Sequence, residues 1–102
     1  MNRYTIYCTE AQIKKALKLN APIQYDDELP SLTISPTAEE MIGWLEEYIH
    51  NIIIIKSIDN TWLYLFCPTN LSKHEIKTGY LSRKDATLAV IDSALEYLSN
   101  NK

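Results

Sequence analysis

Apolar and polar positions along this chain alternate between a period of two and a period near 3.6, and each switch falls on a turn or capping signal. Residues 3 to 8 alternate and are rich in Tyr, Thr and Ile, which predicts a short strand. Thr9-Glu10-Ala11-Gln12 then forms a capping box, with Gln12 returning to the cap, and a helix follows to about Leu19. Its apolar stripe is Ile13, Ala16 and Leu17, with Lys14, Lys15 and Lys18 toward water. Asn20 and Pro22 stop it. Residues 20 to 37 carry three of the four prolines and an Asp-Asp-Glu run, so they read as an irregular connection, with Leu32-Thr33-Ile34 as a short edge strand.

Thr37-Ala38-Glu39-Glu40 is a second capping box, and its acidic first turn complements the helix dipole. At 100° per residue, Ala38, Met41, Trp44, Leu45, Tyr48 and Ile49 share one side, while Glu39, Gly43, Glu46, Glu47 and His50 share the other. Gly43 lies mid-helix, where Ala is favoured by ~1 kcal/mol, so either a neutral residue is tolerated or another backbone comes close. Asn51 ends the helix. Ile52 to Ile58 and Thr61 to Cys67 read as a hairpin closed by a two-residue Asp59-Asn60 turn, which pairs Ile53 with Phe66. One face then carries Ile52, Ile54, Leu63, Leu65 and Cys67, the other Ile53, Ile55, Trp62, Tyr64 and Phe66. Both are apolar, so a cover is expected over Trp62, Tyr64 and Phe66: a second copy first, the N-terminal arm second. Glu75 to Leu81 reads as a third strand. Ser82-Arg83-Lys84-Asp85 resembles a further capping box, opening a helix to about Ser99 with Leu88, Ile91, Leu95 and Leu98 as its core stripe, widened by Ala86, Val90 and Ala94.

The expected fold class is therefore α+β: an antiparallel sheet of three to five strands packed with helices. An αβββα core over residues 37–99 is preceded by a strand-helix arm and irregular connection over residues 1–36, all within a single domain spanning 1–102. A length of 102 residues with 46% hydrophobic positions suits one domain with a core of its own and excludes a disordered class. Two Cys exclude a disulfide scaffold. The longest uninterrupted apolar run, Trp62 to Cys67, falls far short of the ~20 residues that span a bilayer. With no apolar leader segment in residues 1 to 6, a soluble cytoplasmic setting is expected, without a membrane partner.

The net charge of -3 is unevenly spread. Residues 20 to 55 contain no Lys or Arg and carry -7; the remainder carries +4. This points to one acidic and one mildly basic side, either as solvated faces or as a means of steering a partner. Local chemistry adds little. Cys8 and Cys67 form no C-x-x-C pair and read as structural thiols. His50 with Glu46 and Glu47 reads as an ordinary helical surface cluster, because a metal needs ligands from other elements too. The two glycines cannot make a phosphate loop. No catalytic residue, metal or cofactor is expected, and the chain reads as a non-enzyme.

Two resemblances add to this reading. The order helix, strand, strand, strand, helix from residue 37, together with Gly79, Ser82-Arg83-Lys84, Ala86, Ala89, Ala94-Leu95 and Leu98, resembles the double-stranded-RNA-binding domain. The resemblance implies that Arg83 and Lys84 meet phosphates at the start of the last helix. The chain departs from that family at Thr87, where a third basic residue is expected, and at the tight Asp59-Asn60 turn. Separately, Tyr7-Cys8-Thr9-Glu10 through Leu19, with Pro36-Thr37-Ala38-Glu39-Glu40-Met41-Ile42-Gly43-Trp44-Leu45, is similar to small uncharacterised proteins of bacterial prophages and mobile elements. That likeness implies a setting and no residue roles. The leading expectation is an interaction protein that modulates a host protein or defence complex through the acidic helix face of Glu39, Glu40, Gly43, Glu46 and Glu47. The alternative is a nucleic-acid-binding module using Arg83 and Lys84, ranked second because a basic face earned by several phosphate contacts is lacking.

Overall fold

The computed structural model describes residues 6–22, 37–69 and 74–100. The expected strand positions 3 to 5 and the edge strand at Leu32-Thr33-Ile34 lie outside them. The element order is α1 (Glu10–Lys18), α2 (Ala38–Leu45), β1 (Asn51–Lys56), β2 (Trp62–Cys67), β3 (Glu75–Tyr80) and α3 (Arg83–Asn100). The three strands form one antiparallel sheet in the order β1-β2-β3, so the fold is α+β, as the periodicities predict.

Local signals set the helix ends. At both Thr9 and Thr37 the cap hydroxyl accepts from the N3 backbone N–H while the N3 side chain, Gln12 or Glu40, reaches back to the cap N–H. At the end of α1, Ala21 N–H bonds to the Ala16 carbonyl and Asn20 N–H to that of Leu17, both at 3.0 Å. This is a Schellman arrangement, with Asn20 at φ 67 taking the left-handed position that its short amide tolerates. Of the expected N-terminal strand, Tyr7 makes a single bridge to Thr37, and Ala38 N–H donates to the Ile6 carbonyl at 2.7 Å. The two capped helix starts are thereby held side by side.

α2 is shorter than its sequence suggests. The helix stops at Leu45 and turns carry the chain to β1. Met41, Leu45 and Ile49 are buried as expected, but Tyr48 swings out to 59% exposure and meets the Trp44 ring edge-on at 5.6 Å.

The hairpin register differs from the expected one by a single residue. Ile52 pairs with Phe66 and Ile53 with Leu65. The connection is a three-residue loop, Ile58-Asp59-Asn60, closed by Ser57 N–H to the Thr61 carbonyl, with Asn60 at φ 68. The Asp59 carboxylate accepts from the Thr61 hydroxyl at 2.6 Å and from its N–H at 3.1 Å, which holds that carboxyl below its ordinary pKa. Because side chains alternate along a strand, the slip exchanges the two faces of β2 relative to β1. Ile52, Ile54, Tyr64 and Phe66 point to the helices, and Ile53, Ile55, Leu63 and Leu65 point away.

A bulge in β3 repeats the device. Between the pairs Trp62–Tyr80 and Tyr64–Lys77, Leu63 stands opposite both Thr78 and Gly79, and Gly79 takes φ +87. The extra residue resets the alternation, so Tyr80 turns inward and stacks on Tyr64 at 5.9 Å.

α3 is the hub. It packs on all three strands, and α1 and α2 pack on it. Its buried line is Ala86, Val90, Ile91, Ala94 and Leu95, rotated from the expected stripe so that Leu88 and Leu98 are only half-buried. Gln12, fully buried, ties α1 to this hub: its Nε2 donates to the Leu88 carbonyl at 2.9 Å and to Asp92 Oδ1 at 3.0 Å, while its Oε1 accepts from Thr9 N–H at 3.0 Å.

Candidate functional site

The acidic residues of α2 stand on the surface. Glu39, Glu40, Glu46 and Glu47 are all exposed, as is Gly43 between them. The four carboxylates are not equivalent. Glu40 Oε1 accepts from Thr37 N–H at 3.3 Å and from the Thr37 hydroxyl at 3.0 Å, so it is part of the helix start. Glu39 also sits in the first turn, where the helix dipole favours an anion. Glu46 is the C-cap and Glu47 follows it, where the dipole disfavours negative charge, and the last turn carries no basic residue. Among the described residues, none of the four forms an ion pair. At Gly43 an added Cβ would meet nothing within 4 Å, so no part of the described chain approaches it.

The expected apolar interface is corrected by the register. Tyr64 is 1% exposed and Phe66 4%, and both lie under the chain's own last helix. The Tyr64 hydroxyl is 2.8 Å from Ser93 Oγ, and the Phe66 ring meets Tyr97 edge-on at 5.8 Å. Burial pushes the Tyr64 hydroxyl above its ordinary pKa. These two residues are core, and α3 is the cover sought in a second copy or the arm. Trp62 is half-buried at the hairpin end of that face.

The surface that sequence reasoning missed is the opposite face of the sheet. Ile55 is 48% exposed and Ile76 55%, while Ile53, Leu63 and Leu65 are half-buried without joining the core. None of the strand residues on this side is charged: Lys56, Glu75 and Lys77 all share register with the helix-facing positions. The signal that could have located it is the run Ile58-Asp59-Asn60-Thr61. An Asp that binds the residue two ahead, followed by Asn, suits a three-residue loop as well as a two-residue one.

At the start of α3, Arg83 and Lys84 are exposed, and Ser82 Oγ caps the helix by accepting from Asp85 N–H at 3.1 Å. Thr87 is buried, its hydroxyl donating to the Arg83 carbonyl at 2.7 Å. A third cation at that position would point inward, so the basic pair stands without the third member that the RNA-binding resemblance requires.

Both cysteines are free and buried. The Cys8 thiol lies 3.8 Å from the Thr37 carbonyl, and burial, reinforced by Glu40 and Asp92, pushes its pKa up to about 11. A thiol so held is a poor nucleophile. Among the described residues, no three His, Cys, Asp or Glu side chains gather in a metal-binding group, and no helix is long and apolar enough to cross a membrane. No protein-family model, curated protein or solved structure matches the chain.

Proposed function

We propose that this chain is a non-enzymatic interaction protein that engages a basic partner protein through the exposed acidic end of α2, in the phage or mobile-element setting its sequence resembles. One observation carries the reading. Glu46 and Glu47 occupy the helix end where the dipole disfavours them, with no basic residue in that turn to offset the cost. Local rules broken without compensation are expected where a surface serves binding. The same face holds Glu39 and the open position at Gly43, leaving room for a partner's side chain between carboxylates. Charge of this kind acts chiefly on the rate and specificity of encounter.

The test is the double substitution Glu46→Lys, Glu47→Lys. Folding stability should hold or rise, since each change removes an unfavourable dipole contact of about 0.3–1 kcal/mol. Partners are captured from bacterial lysate with and without nuclease, and association is then timed for both proteins. Slower association with a flattened salt dependence supports the reading. Capture of the same partner at an unchanged rate would reduce the acidic end to a solubilising surface.

A further inference from the structure

Beside the acidic end of α2 lies an exposed aromatic pair, Trp44 and Tyr48. We propose that these rings form a platform for an arginine side chain of the partner protein, with its guanidinium turned to Glu47; this rests on the basic-partner reading above and names the group recognised.

The early end of α2 builds the pair. Past Leu45 the chain keeps turning: Glu46 N–H bonds to the Ile42 carbonyl at 2.8 Å, Glu47 N–H to that of Trp44 at 3.2 Å and Tyr48 N–H to that of Leu45 at 2.9 Å. Tyr48 therefore stays one turn on from Trp44, and the rings meet edge-on, with centroids 5.6 Å apart and planes at 64°. Trp44 packs against the core, whereas Tyr48 is 59% exposed. Rings braced by each other and by the core lose little conformational freedom on binding. Trp and Tyr, with Arg, are also the side chains that carry most binding energy at protein interfaces.

Charge selects the occupant. At about 100° per residue, Glu40 lies about 40° and Glu47 about 60° round the helix from Trp44, on the same side of it. Both are exposed. Glu40 Oε1 already serves the helix start at Thr37, which leaves Glu47 as the carboxylate for a partner. Residues 20 to 55 hold no Lys or Arg, so this stretch supplies no cation of its own. A neutral apolar group laid on the rings strips water from Glu47 and returns nothing, whereas a cation meets both the rings and the carboxylate. Arginine suits the site better than lysine. Its guanidinium is planar, stacks on an aromatic face while offering N–H groups to a carboxylate, and is more weakly hydrated than an ammonium.

Two end-capped peptides of equal charge, hexa-arginine and hexa-lysine, are titrated into the isotope-labelled full chain, and the assigned indole N–H signals of Trp44 and Trp62 are followed by NMR. Hexa-arginine should bind roughly two- to fivefold more tightly than hexa-lysine and should shift the Trp44 signal more than that of Trp62. Tyr48→Leu, at an exposed position, should retain the fold by circular dichroism and bring the two peptides to equal affinity. Tyr48→Phe keeps the ring and should keep the preference. Equal affinities for the parent, a preference that survives Tyr48→Leu, or a Trp44 signal that stays still overturns the platform. If binding in those cases still weakens with Glu46→Lys, Glu47→Lys, the acidic-end reading stands without it. Binding that ignores this double substitution overturns both. No binding of either peptide at millimolar concentration overturns the platform, while lysate capture decides the acidic-end reading separately.

Discussion

Four consecutive isoleucines, Ile52 to Ile55, offer a direct measurement of which sheet face is the core. Ile52 is 8% exposed and joins the core cluster, whereas Ile55 is 48% exposed and does not. Ile52→Ala removes three carbons from packed surroundings and leaves a cavity between the sheet and α3. Substitutions of that kind cost 2–5 kcal/mol, and about 3 is expected here. Ile55→Ala removes the same atoms from a side chain half in water, with no cavity, and should cost at most about 1 kcal/mol. Ile53, half-buried on the outer side, should fall near Ile55, despite standing next to Ile52 in sequence. The assay is urea unfolding at a few micromolar. For a slope of about 1–3 kcal/mol/M, Ile52→Ala should move the midpoint by at least ~1 M, with the slope itself unchanged. A register displaced by one residue would put Ile53 and Ile55 on the core side. An Ile53→Ala protein less stable than Ile52→Ala would therefore refute both the pairing and the face assignment built on it.

Further outcomes follow from the buried polar groups. Gln12→Leu keeps the volume but loses three hydrogen bonds, and should cost about 2 kcal/mol by urea unfolding, since Asp92 is exposed and can rehydrate. Gln12→Glu should cost more, because a carboxylate would face the Leu88 carbonyl and Asp92, and part of that penalty should disappear on acidification. Folding holds the Cys8 thiol at about 11 against an ordinary 9.0, so the unfolded chain ionises first. Stability from this group is full below pH 9 and is lost as pH rises toward 11, and Cys8→Ala should flatten that part of the stability–pH curve.

What was legible in the sequence was local. The capping boxes at Thr9 and Thr37 close within four residues, and both form as read. The three strands and the last helix are signalled by period and turn residues, and all four are present. What was not legible depended on partners distant in sequence. Gln12 looks like a helix cap and nothing more, yet its amide reaches a helix 76 to 80 residues away. Tyr48 fits the apolar stripe of α2, but the helix has ended before it. The candidate surfaces divided in the same way. Helical spacing places Glu39 outward, whereas the side of the sheet that Tyr64 and Phe66 occupy depends on whether the hairpin loop has two residues or three. A period of exactly two makes strand faces unforgiving of a single-residue error.

The position of α3 in the chain has a consequence for folding. This helix covers the inner sheet face and receives both other helices, yet it follows every other described element in sequence. A hairpin closed by a local turn forms in about 1–10 µs, whereas the docking of α3 brings together residues far apart in the chain and is slower. The Ile-rich β1–β2 ribbon can thus pair before α3 covers it, and through that interval it shows water two apolar faces instead of one. The partly folded chain, rather than the finished domain, is the species most exposed to aggregation.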